Sequence, residues 1–240
     1  MTDAAPPEVP DVREHQFRHL DLSRTSPGEW VEIRADTAFP GGISRRNHLV
    51  ACVAADESVV YMRADDAPEE GRPHTFVLAR VARSDSLVRM AWVCTLSGEF
   101  RRARIQAGGR QSSVGGIDHP SLSVVAEKER LLRTPEPAVR GRIYAVEATV
   151  QTDGIELKVP AVSAFSSELP FPLRTSDPVL RAKAFLPASW TERSLEPASL
   201  VFLRTRQQGV SVSWKIVRWG READALIKWG KSAKARVERS

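Results

Sequence analysis

Short apolar runs separated by turn residues recur along this chain, and that pattern constrains it more than any motif does. Residues 210–219 are the clearest case. Val212, Trp214 and Ile216 alternate with Ser211, Ser213 and Lys215, which puts one set on each side of a strand. Residues 200–206 read as its hairpin partner through Gln207, Gln208 and Gly209. Residues 142–150 and 155–159 flank Thr152, Asp153 and Gly154, and Asp-Gly between two alternating runs is a hairpin signal. Further strands are expected at 30–35, 48–54, 59–64, 75–82, 87–95, 100–107 and 179–186. The expected fold class is therefore mainly β: an antiparallel sandwich or barrel-like domain, or two of them, built from hairpins.

Elsewhere the pattern breaks. Residues 1–12 are acidic and proline-rich and read as a disordered arm; residues 39–46 read as a loop. Residues 121–133 carry Glu127, Lys128, Glu129 and Arg130 at helical spacing, which predicts a helix closed by Pro135 and Pro137. This suggests a β-rich half over 13–118, a connector over 119–138 and a second β-rich half over 139–219. Residues 163–178 contain three prolines and are expected to be irregular. From Gly220 onward Ala223, Leu226, Ile227, Gly230 and Ala233 recur at helical spacing, so residues 220–240 read as a basic amphipathic helix.

Charge is unevenly spread. Residues 1–100 hold 11 Arg, no Lys and 16 acids; residues 101–200 hold 14 bases and 11 acids. The last forty residues hold 10 bases and 3 acids, and a basic end favours an anionic partner. The 28 Arg against 7 Lys do not by themselves indicate nucleic-acid binding. Cys52 and Cys94 sit inside apolar runs and read as buried reduced thiols. The first residues lack the basic start and apolar stretch of a secretory signal, so a cytoplasmic protein is expected. The longest apolar run, 49–55, is too short to span a bilayer.

Two regions could bind a ligand. Residues 108–116 are rich in glycine and serine and follow Arg101, Arg102 and Arg104; with Arg110 they offer backbone N–H groups and guanidinium forks to an anion. In the tail, Trp214, Trp219 and Trp229 interleave with Lys215, Arg218, Lys228, Lys231 and Lys234. Basic side chains there would neutralise phosphates while an exposed indole stacks on a base. The plainer reading makes Trp214 core and uses Trp219 and Trp229 to seat the helix. Gly230, Lys231 and Ser232 mimic the end of a P-loop, but the motif's first glycine is replaced by Ala225. His15 and His19 are four apart without the glutamate of a zinc helix, and the Asp65, Asp66, Glu69 and Glu70 cluster reads as a solvated loop. No metal, cofactor or catalytic residue is expected.

These features suggest a non-enzymatic nucleic-acid-associated subunit, binding DNA or RNA through Arg101, Arg102, Arg104, Arg110 and the tail. A structural or adaptor subunit of a larger protein assembly is the alternative. A hydrolase using His48, His74 or His119 is the third reading.

Overall fold

The computed structural model describes residues 10–66, 75–95, 98–107, 121–152, 155–173, 198–207 and 209–239. The strands are β1 (Asp11–Arg13), β2 (Trp30–Phe39), β3 (Gly42–Ala55), β4 (Val59–Asp66), β5 (Thr75–Ala82), β6 (Val88–Thr95) and β7 (Phe100–Arg102). They continue with β8 (Arg104–Gln106), β9 (Ser121–Leu132), β10 (Val139–Thr152), β11 (Ile155–Ser166), β12 (Ser199–Gln207) and β13 (Val210–Gly220). One helix, α1 (Asp224–Val237), follows. Eleven strands form one antiparallel sheet in the order β7-β6-β5-β4-β3-β2-β13-β12-β11-β10-β9. The mainly-β, hairpin-built expectation holds. β7 and β9 are the two edges, so the sheet is open and not a closed barrel.

Neighbouring strands are mostly neighbours in sequence, as hairpins require. The exception within the large sheet is β2 against β13, where Trp30 pairs with Gly220 and Ala38 with Ser211. This pairing joins early and late strands in one sheet.

Several expectations are corrected. Residues 121–132 are strand β9, not a helix: Val146 pairs with Val124 and Tyr144 with Glu127 along β10. Backbone pairing along that whole strand outweighs the helical spacing of four charged side chains. Residues 42–46 belong to β3, whose register with β2 runs to Phe39 and Gly42, so the expected loop shrinks to a tight turn. β11 carries strand structure through Ser166, into the stretch expected to be irregular. Asp11 and Val12 are not an unstructured arm; they pair in parallel with Arg104 and Ile105, and Val12 is buried. The stretch 100–107 is two strands, because Ala103 is buried and its N–H donates to the Ala91 carbonyl. β7 stays in the large sheet while β8 turns away to β1. The expected strand over 179–186 lies outside the described residues.

The first half of the sheet is covered on both faces. Register places Val31, Val50, Ala64, Val77 and Val93 on one face. Val12, Phe17, Leu20 and Leu22 pack over that face. Arg83 fastens this covering segment by donating to the carbonyls of Leu22 (2.9 Å), Ser23 (3.2 Å) and Thr25 (3.0 Å). The other face carries Trp30, Ala51, Leu78 and Trp92, and α1 lies on it through Trp229, Ala233 and Val237. Strands buried on both sides read as continuous apolar runs, as residues 49–55 do.

Both cysteines sit in this double-sided core. Burial pushes each thiol up to about 12. A thiol at that value presents almost no thiolate at neutral pH. The native protein should therefore leave Cys52 and Cys94 unlabelled by a thiol reagent over an hour, and both should react once denatured. Labelling of either in the native state would contradict their burial.

Candidate functional site

In the second half of the sheet the two faces diverge. Trp214 and Lys215 are adjacent on β13 and point to opposite sides. Successive registers run from Arg46 through Ala35, Trp214, Leu203, Ser163 and Tyr144 to Glu127. The next row on the same face runs from Ser44 through Thr37, Val212, Thr205, Ala161 and Val146 to Val124. These two rows cross seven strands, about 29 Å at the usual strand spacing.

Between Arg46 and Glu127, the charged ends of the first row, the rows are apolar with small hydroxyls and the Tyr144 phenol among them, but their coverage changes across the sheet. On β10 and β11 the side chains of Tyr144, Val146 and Ala161 are buried, packed with Phe165 and Ala198. Burial, then the Glu127 carboxylate, holds the Tyr144 phenol above its ordinary value; its hydroxyl donates to Glu127 at 3.4 Å. On β13 and β2 the same face opens. Val212 is 43% exposed and Phe39 46%, while Ala35, Thr37 and Trp214 are half-buried. An apolar strip of this kind, continuous with a packed core and left open on β2 and β13, has the geometry a binding surface needs. Arg46, exposed at its margin, supplies a positive charge.

The residues expected to contact nucleic acid are scattered, and several are engaged within the fold. Trp229 meets Phe76 edge to face, with ring centroids 5.3 Å apart, and lies 5.0 Å from the Arg63 guanidinium. Trp219 donates its indole N–H to the Pro137 carbonyl at 2.8 Å. Arg218 lies 3.7 Å from Glu32 and over the Trp30 ring, and Lys234 is 3.7 Å from Asp56 and 3.8 Å from Glu238. Arg101 pairs with Glu99 at 2.7 Å. Arg102 is on the large sheet and Arg104 on the small one, so the arginines do not form one edge. Lys228 and Lys231 are exposed on α1, and Lys215 is half-buried far along the sheet. Arg110 and the glycine-rich loop lie outside the described residues, as do His74 and His119. His48 sits on β3 beside Ile33. Gly230, Lys231 and Ser232 are inside α1 and form no phosphate loop.

No protein-family model matches the sequence, and no curated protein matches it significantly. Among solved structures, the chain is similar to a DUF1329 family protein from Desulfovibrio piger, at 11% identity and TM-score 0.33 over 86% of this chain and 92% of that one. It is similar to a LolA superfamily protein from Nitrosomonas europaea, at 10% identity and TM-score 0.30 over 86% and 91%. A third likeness is to a Vibrio parahaemolyticus domain described as outer membrane lipoprotein-sorting, at 6% identity and TM-score 0.34 over 83% and 87%. At these values none of the three assigns a ligand to this chain. With Trp219, Trp229 and several of the tail's cations already committed inside the fold, and with Val12 and α1 packed on the sheet of their own chain, the nucleic-acid and assembly-subunit readings are withdrawn.

Alternation in 210–219 was visible in the sequence, yet it points equally to core or to ligand. Among the described residues no helix is long and apolar enough to cross a membrane.

Proposed function

We propose that this chain is a non-enzymatic binding protein for an elongated amphiphile, with an acyl chain lying along the Trp214 face and an anionic head group near Arg46. One observation carries this reading: a buried apolar face continues, without change of register, into side chains that stay open on β2 and β13. From Val210 to Ile216 the apolar positions of β13 span about 20 Å, enough for an extended long acyl chain. Burying that strip against hydrocarbon is favourable at about 25 cal/mol per Å² of apolar surface. The hydroxyls of Ser44, Thr37 and Thr205 interrupt the strip without charging it. A cytoplasmic setting belongs to the same proposal and is supported by two unpaired thiols.

The test is displacement of a fluorescent fatty-acid probe, followed through the probe and through Trp214. Val212→Asp is expected to weaken binding about tenfold or more, because a carboxylate would have to be desolvated beneath the chain. Ile43→Asp, on the opposite face and 67% exposed, should leave it unchanged. Equal effects of the two variants, or no binding by the wild-type chain, would remove the proposal.

A further inference from the structure

The opposite face of the same strands has a different chemistry. One row there runs from Asn47 through Arg34 and Lys215 to Phe202. The next runs from Arg45 through Asp36 and Ser213 to Arg204. Arg34 and Lys215 are direct cross-strand partners, and like charges placed so repel each other. Arg204 is a diagonal neighbour of Lys215 and adds a third cation.

The carboxylates within reach are already occupied. Asp36 is paired with Arg45 at 2.8 Å, and Glu32 lies 3.7 Å from Arg218. Among the described residues no carboxylate pairs with Arg34, Lys215 or Arg204. The Arg34 Nε and the Asn47 Oδ1 are moreover buried atoms without a hydrogen-bond partner, on side chains that face each other across β2 and β3. Buried polar atoms are rarely left so in a native protein, and adjacent ones mark a place where a partner belongs. The Asn47 amide can present its NH₂ to the same point by a half-turn, which changes nothing else.

We propose that Arg34, Lys215 and Arg204, with Asn47 and Ser213 beside them, form a binding site for a phosphate-class oxyanion. A tetrahedral oxyanion would take the fork of Arg34 and the ammonium of Lys215 at once, relieve their repulsion, and supply an acceptor to the orphaned Nε. Phe202 and Val162 frame the site with apolar surface, which strengthens each charge-assisted bond by excluding water. The site is on the other side of the sheet from the Trp214 strip, so it stands or falls independently of the amphiphile proposal. Its anion has two sources, free phosphate or the phosphate of a lipid head group.

Inorganic phosphate titrated into the full chain should raise its melting temperature saturably, as any ligand of the native state does, and shift the amide resonances of residues 34, 204 and 215. Sulfate should do likewise and chloride at equal ionic strength should not. Arg34→Gln combined with Lys215→Gln should abolish the phosphate-dependent rise. The singly substituted Arg204→Gln, at an exposed position that leaves the fold intact, should weaken it about tenfold. Co-sedimentation with phosphatidylcholine vesicles containing phosphatidylglycerol separates the sources: binding lost in the double variant assigns a lipid phosphate, and phosphate binding without vesicle binding assigns a free anion. Absence of both in the wild-type chain, or binding retained in both variants, overturns the site.

Discussion

Gly230→Ala is expected to destabilise the protein by about 3 kcal/mol, and so to lower its melting temperature by roughly 10 °C. In an ordinary helix the same change would stabilise by about 1 kcal/mol, because alanine is the better helix former. Geometry reverses the sign. A β-carbon on Gly230 would run into the Val53 carbonyl oxygen and stand 2.7 Å from the Val53 Cβ. Both obstacles belong to the sheet, at the bulge where the β3–β4 register slips between Cys52 and Ala54. Neither can swing aside as the end of a flexible side chain would. α1 would have to lift from β3, taking Trp229 off Phe76 and loosening Tyr61, whose hydroxyl is 2.7 Å from Glu238. Chemical denaturation measures the loss, and a red shift in tryptophan emission reports the lifted helix. A stabilised Gly230→Ala variant would mean that α1 does not sit this close to the sheet.

Arg63→Leu should cost about 3 kcal/mol or more. The guanidinium forks onto Asp65 with bonds of 2.9 and 2.7 Å, while its carbon lies 4.1 Å from the Phe76 ring centre and 5.0 Å from that of Trp229. The two charged side chains are 16% and 10% exposed, so this pair lies largely out of water. Removing the arginine deprives a sheltered carboxylate of its fork, and that desolvated charge is the main expense. The cation–ring contacts add roughly 1 kcal/mol. Removing both charges, as Arg63→Leu with Asp65→Leu, should therefore be less harmful than Arg63→Leu alone. Arg63→Lys should fall between wild type and leucine, since it keeps the charge and loses the planar fork. A double-mutant cycle by denaturation decides the matter; strictly additive costs would show that the two side chains do not act as a pair.

Much of the architecture was legible because strand periodicity is a local property. The alternation of Val212, Trp214 and Ile216 and the Asp153-Gly154 turn between apolar runs marked strands that the structure contains. The C-terminal helix was legible for the same reason, with Leu226, Gly230, Ala233 and Val237 turned to the sheet. Residues 121–132 misled because Glu127, Lys128, Glu129 and Arg130 fit a helix face as well as an exposed edge strand. Only the partner strand β10 separates the two.

The site was much less visible. Arg101, Arg102 and Arg104 read as one basic edge until Ala103 turned inward and sent β7 and β8 to different sheets. Trp229 with its lysines resembled a stacking platform, yet its ring is held by Phe76 and Arg63, which lie over 150 residues earlier in the chain. Arg83, which ties down the segment over the core, has no motif at all.

By itself the sequence determined that the fold is mainly β, the place of most of its hairpin strands, and the amphipathic C-terminal helix, because those follow from the spacing of apolar side chains along a few residues; β1 and β9 it did not determine. Only the tertiary structure decided that β2 joins β13, that α1 covers one half of the sheet and leaves the other half open, and that Arg34 stands opposite Lys215. Such contacts join residues distant in sequence, and no local pattern encodes which face of a strand will be covered.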